Sequence, residues 1–107
     1  MTDSTSWHRV AAASQVAEGE AVAVRVGDQQ IALCRAGGTL YAFENVCPHA
    51  YALLSDGFIE DNEIECPLHA ARFEISTGRC LAPPADRDLV TYAVKVEGDE
   101  VLVEIGA

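Results

Sequence analysis

The sequence predicts an all-β fold, an antiparallel sandwich or small barrel. Three observations carry this: apolar residues alternate with period two in short runs, glycine-containing turns separate those runs, and no long helical period competes with them. EAVAVRV (20–26) comes first, its valines at 22, 24 and 26 alternating with Ala23 and Arg25. Gly27-Asp28 then separates it from QQIALCR (29–35), a two-residue hairpin signal in which glycine supplies the positive φ that most residues avoid. Ala36-Gly37-Gly38 leads into TLYAFE (39–44), and Glu97-Gly98-Asp99 joins TYAVKV (91–96) to EVLVEI (100–105). AAASQVAEG (11–19) has room for one short helical turn before Gly19 ends it. Trp7 and His8 are expected on a first strand, the Trp packed and the His solvated.

At 107 residues, half of them hydrophobic, the chain is expected to form one domain over 1–107 with its own core. No basic start followed by an apolar run and no stretch of about eighteen apolar residues is present, so a cytoplasmic protein with no membrane partner is expected. Seventeen acidic against seven basic residues give a formal charge of -10, which disfavours nucleic acid and anionic membranes and favours a basic protein surface. In a reducing compartment the four cysteines read as metal ligands or core residues, not as disulfides.

Chemistry concentrates in two short clusters, Cys47-Pro48-His49 and Cys66-Pro67-Leu68-His69, with sixteen residues between them. GFIE and EIEC flank Asp61-Asn62, so a hairpin would carry the chain away from the first cluster and back into the second, leaving both at one end. A proline after each cysteine restricts the loop backbone. Two Cys and two His could hold one tetrahedral zinc, although the common zinc patterns pair like with like, whereas each loop here offers one thiolate and one imidazole. A two-iron, two-sulfide centre fits mixed loops, with both thiolates on one iron and both imidazoles on the other.

On this Cys-x-His, sixteen-residue gap, Cys-x-x-His pattern the sequence resembles the Rieske [2Fe-2S] family, and its strands extend the resemblance over nearly the whole chain. The resemblance implies a Rieske-type sandwich whose two ligand loops form a cluster-binding portion at about 44–85. It places Cys47 and Cys66 on an inner iron and His49 and His69 on an outer one, with one [2Fe-2S] cluster as cofactor. High-potential members carry an extra cysteine in each loop and serine and tyrosine donors after the second histidine. Ala52, Leu68, Ala71 and Phe73 stand at those places, which implies a potential toward the low end of the range of about -150 to +300 mV. The chain thereby looks like the ferredoxin branch, which carries single electrons from a flavin-containing, NAD(P)H-dependent reductase to the terminal oxygenase of bacterial aromatic-ring-hydroxylating dioxygenase systems through transient contacts. An accessory subunit of another oxidoreductase and a zinc-stabilised binding module are the alternatives.

An oxygenase would need a further iron held by two histidines and a carboxylate, and His8 is the one histidine outside the two clusters. No Gly-x-Gly-x-x-Gly offers a nucleotide site, so an electron carrier with no catalytic site is expected. Cys34, on the strand face opposite Ile31 and Leu33, and Cys80, after the turn at 76–79, read as packing thiols. The acidic run Glu60, Asp61, Glu63, Glu65 reads as a solvated face with a docking role to be tested. In the family, a proline loop corresponding to Leu81-Ala82-Pro83-Pro84-Ala85 shields the cluster.

Overall fold

The structure, a computed structural model, describes residues 5–47, 52–67, 71–82 and 87–106. Among these it is all-β with antiparallel sheets, and no helix is long and apolar enough to cross a membrane. The strands in chain order are β1 (Thr5–Ala12), β2 (Ala21–Val26), β3 (Gln29–Ala36), β4 (Thr39–Glu44), β5 (Phe58–Glu60), β6 (Glu63–Glu65), β7 (Arg72–Glu74), β8 (Cys80–Ala82), β9 (Thr91–Tyr92), β10 (Val94–Glu97) and β11 (Glu100–Gly106). They form three sheets, ordered β1-β11-β10, β2-β3-β4-β9 and β5-β6-β7-β8. The short turn expected after the first strand is a single 3-10 turn at Ala13–Gln15.

Strand β3 decides the layering because it is buried on both faces. Its residues Ile31 and Leu33 join Leu40, Ala42, Val101 and Val103 in one apolar core, shared with the β1-β11-β10 sheet. Its residues Ala32, Cys34 and Ala36 join Phe43, Leu54, Ile64 and Phe73 in a second core, shared with the β5–β8 sheet. Alternation of side chains along a strand makes this division, and it puts Cys34 on the face expected for it. The β2–β3 turn closes at Gly27, whose φ of 58° a side chain would resist.

Three readings change. TYAVKV is not one strand: it breaks at Ala93, so that β9 pairs with β4 while β10 pairs with β11, and the chain thereby passes from one sheet to the next. Trp7 is exposed and His8 half-buried, the reverse of expectation. The indole lies on the outer face of β1 with the Lys95 ammonium 4.5 Å from its ring centroid, a cation–π contact that compensates for the lost burial. Strands β7 and β8 were not foreseen, since three residues each are too few to display a period. Cys80 opens β8 and is half-buried.

Candidate metal centre

Cys47 and Cys66 lie at the tips of two chain-reversing arms that share one construction. In the first, the Cys47 N–H donates to the Ala52 carbonyl at 2.9 Å; in the second, the Cys66 N–H donates to the Ala71 carbonyl at 2.8 Å, five residues on in both cases. Each arm is fastened further down by an asparagine. The Asn45 carbonyl accepts from the Leu54 N–H at 2.7 Å, its Oδ1 accepts from the Ser55 N–H at 2.8 Å, and its Nδ2 donates to Ser55 Oγ at 2.9 Å. The Asn62 carbonyl accepts from the Ile75 N–H at 2.7 Å, its Oδ1 from the Ser76 N–H at 3.2 Å, and its Nδ2 donates to Ser76 Oγ at 2.9 Å. The same three-bond staple therefore closes both arms.

The arms differ between staple and tip. In the second arm, β6 and β7 form a regular ladder, flanked by β5 and β8, that runs from the staple toward Cys66. In the first, one isolated bridge between Val46 and Leu53 stands between Asn45 and Cys47. The arms meet at Gly57, where an added Cβ would run into the Glu65 carbonyl, so only glycine permits the backbone contact beside Cys66.

A third support comes from the C-terminal side. Glu44, which ends β4, accepts from Arg87 Nη1 at 2.8 Å and Nη2 at 3.0 Å, a bidentate pair, and also from the Val90 N–H at 2.7 Å. The Cys80 N–H donates to Asp88 Oδ1 at 2.8 Å, and the Leu89 N–H to the Gly78 carbonyl at 2.7 Å. Cys80 and residues 87–90, on either side of positions 83–86, are thus tied to the β-strand framework. Gly78 has a φ of +78°, and a Cβ there would lie 2.7 Å from Thr91 Cγ2.

Cys47 and Cys66 are buried, 3% and 1% exposed, within the same apolar core. Buried sulfur donors brought to the tips of adjoining arms suit iron–sulfur ligation. Ala71 and Phe73 are fully buried beside the second arm and carry no hydroxyl to donate. Cys34 is not at the centre, and burial, with the nearby Glu18 carboxylate, pushes its thiol up to about 11. His49, His69, Pro48, Leu68 and the prolines at 83 and 84 lie outside the described residues. Among the described residues no three His, Cys, Asp or Glu converge on a metal-sized site.

The Rieske [2Fe-2S] domain pattern matches residues 6–93. The chain belongs to the Rieske [2Fe-2S] domain family. This Rieske domain is 42% identical over 100 residues to the ferredoxin component of the naphthalene 1,2-dioxygenase/salicylate 5-hydroxylase systems of a Ralstonia species, covering 94% of this chain and 96% of that one. Its fold superposes on the ferredoxin of carbazole 1,9a-dioxygenase from Nocardioides aromaticivorans with a TM-score of 0.85 at 38% identity, covering 91% and 95% of the two chains. A ferredoxin in a complex of reduced oxygenase and oxidised ferredoxin of carbazole 1,9a-dioxygenase is equally similar, with a TM-score of 0.85 at 38% identity and 91% of each chain covered. This Rieske domain is accordingly a ferredoxin of the kind found in aromatic dioxygenase systems, an electron carrier with one [2Fe-2S] cluster and not a catalytic subunit.

The staple asparagines, the Glu44–Arg87 pair and Gly57 were missed from sequence. One signal was available: Asn45 and Asn62 are the only two asparagines in the chain, and they precede the two loop cysteines by two and four residues.

Proposed function

We propose that this Rieske ferredoxin accepts single electrons from a flavin-containing, NAD(P)H-dependent reductase and delivers them to the terminal oxygenase of an aromatic-ring-hydroxylating dioxygenase, in the cytoplasm and through transient contacts. The observation that carries this reading is the 42% identity, nearly end to end, with a dioxygenase-system ferredoxin component. On this reading residues 1–107 are one domain whose cluster-binding portion spans about 44–85. Cys47 and Cys66 ligate the inner iron, and His49 and His69 the outer.

The bound cluster supplies a one-electron couple; the chain's residues set its ease of reduction and its access to water. Two imidazoles in place of two thiolates make the cluster less negative, which raises its potential above that of an all-thiolate centre. Ala71 and Phe73 withhold the hydroxyl donors that would raise it further, so the potential lies low in the Rieske range. The buried thiols of Cys47 and Cys66 favour a cluster shielded on its protein side.

The deciding experiment is an EPR spectrum of the dithionite-reduced protein, followed by reconstitution with a dioxygenase reductase and oxygenase. A Rieske spectrum with NADH-dependent turnover that requires this chain is expected. A colourless, EPR-silent zinc protein would refute the cluster. A proper cluster that no dioxygenase reductase reduces would instead favour an accessory subunit of another oxidoreductase.

A further inference from the structure

We propose that Asn45 and Ser55 are a positioning pair for the cluster, a side-chain substitute for the sheet that the first ligand arm lacks. The inference rests on the reading of Cys47 and Cys66 as ligands. It starts from the fact that identical staples occur in unequal surroundings. Around Asn62 the side-chain bonds are redundant: the β6–β7 ladder joins Glu63 to Glu74, Ile64 to Phe73 and Glu65 to Arg72, and β5 and β8 hold it from either side. Loss of the Asn62 side chain would leave that register intact. Asn62 is half-buried and Ser76 exposed, so water can take over the released groups.

Asn45 has neither safeguard. It is 1% exposed and is the only buried polar side chain among the described residues. Its Oδ1 satisfies the Ser55 N–H, which ends the return from the loop, and its Nδ2 orients the Ser55 hydroxyl. Without that side chain the arm between Asn45 and Cys47 keeps the Leu54–Asn45 bond, the Val46–Leu53 bridge and the Cys47–Ala52 bond, and the Ser55 N–H loses its acceptor. The bond is part-buried, Ser55 itself being half-buried, so its loss costs more than that of a fully exposed bond, which water would replace outright. That cost falls on a short loop whose closure places the Cys47 sulfur. The predicted result is a first arm that opens more often and holds its thiolate in a wider range of positions, while the second arm is unaffected.

The test compares Asn45→Ala with Asn62→Ala, adding Ser55→Ala, which removes only the amide-to-hydroxyl bond, and Ser55→Thr, which preserves it. In the holoprotein two quantities are read: the EPR line shape of the reduced cluster, and the rate at which visible absorbance bleaches in excess chelator. Asn45→Ala should broaden the EPR features and speed cluster release about tenfold, the equivalent of about 1.4 kcal/mol. Ser55→Ala should fall between it and wild type, Ser55→Thr should match wild type, and Asn62→Ala should stay within about twofold. Equal release from the two asparagine variants would overturn the proposal, as would a lower melting temperature with unchanged line shape and release. If Asn45→Ala cannot be isolated with its cluster, the serine pair decides, and equal release from Ser55→Ala and Ser55→Thr overturns the proposal. Cys47→Ser separates the two levels: a normal spectrum in that variant would refute the ligand reading, whereas its loss beside a wild-type Asn45→Ala would refute only the positioning pair.

Discussion

The arm that ends at Cys66 is built into a four-stranded sheet, while the arm that ends at Cys47 is a short reversal held by a few backbone bonds and by side chains. Both present a buried cysteine five residues before an alanine carbonyl that closes the loop, so the tips match although the supports do not. The difference is one of reserve: the second arm has a ladder of backbone bonds from staple to tip, whereas the first has three backbone contacts and the side-chain bonds of one buried asparagine. A sheet tolerates the loss of a rung because the neighbouring rungs keep the register. A lone buried amide has no such reserve.

The strongest way to break the comparison is at the tips, where the arms should be equivalent. Cys47→Ser, Cys66→Ser, His49→Ala and His69→Ala should each abolish the Rieske absorbance and EPR signal, while Cys34→Ala and Cys80→Ser should retain them. A ligand variant with a full spectrum would show that one arm is not a ligand arm.

At the joint, Gly57→Ala should destabilise the protein by roughly 1–3 kcal/mol, because the Glu65 carbonyl must move away from the new methyl. The expected observation is a lower thermal midpoint by circular dichroism together with faster cluster loss. A wild-type midpoint would mean that the arms are not pressed together there.

Ala71 and Phe73, buried and without hydroxyls, both belong to the second arm. Phe73→Tyr with Ala71→Ser should raise the reduction potential, by about 40 mV for each kcal/mol by which the new donors favour the reduced form. Protein-film voltammetry would measure it. No rise, in a structure where the hydroxyls reach sulfur, would refute the missing donors as the cause of a low potential.

The smallest expected effect lies on the outer face of the β5–β8 sheet. Phe58, 65% exposed, stands there with Glu60, Glu63 and Glu65 around a shallow depression of ≈ 300 Å³. Glu63 is paired with Arg72 at 3.3 Å, so the unpaired charge available for steering is less than the sequence suggested. Glu60→Lys with Glu63→Lys should slow reduction by the reductase at low salt and flatten its salt dependence, leaving spectrum and potential nearly unchanged. Superimposable stopped-flow salt series would assign these carboxylates to solvation alone.

β2 was legible because period two survives across its six residues, and β3, β4 and β11 because glycine-containing turns bound their apolar runs. The two-faced burial of β3 was readable from Ile31 and Leu33 against Cys34. The Cys-x-His and Cys-x-x-His spacing was enough to carry the resemblance to the Rieske family, whose pattern matches residues 6–93. Legibility failed where a contact joins distant positions or where a polar residue replaces a strand. Glu44 and Arg87 stand forty-three residues apart, so nothing local links them. Asn45 resembled an ordinary loop residue because its importance comes from burial, which periodicity does not encode for a single polar side chain. Trp7 was misplaced for a related reason, since an indole can be accommodated on a surface by a cation as well as in a core.

Cys34, sealed between the β3 strand and the second core, gives this ferredoxin an internal clock for its own opening. Its ordinary value of 9.0 is pushed up to about 11, and the side chain is fully buried, so an alkylating reagent near neutral pH meets neither thiolate nor a path to it. Labelling must wait for the core to part, and its rate then reports how often that happens, without a spectroscopic signal from the cluster. The same burial has a pH signature. The unfolded thiol ionises at lower pH than the folded one, so its contribution to stability is complete below about 9 and is lost as pH rises toward about 11. Denaturant midpoints measured across that window should fall more steeply in the wild type than in Cys34→Ala, and parallel curves would show the thiol to be less enclosed than its surroundings indicate. Mass spectrometry of alkylated Cys34 can therefore follow core breathing in the protein with its cluster bound.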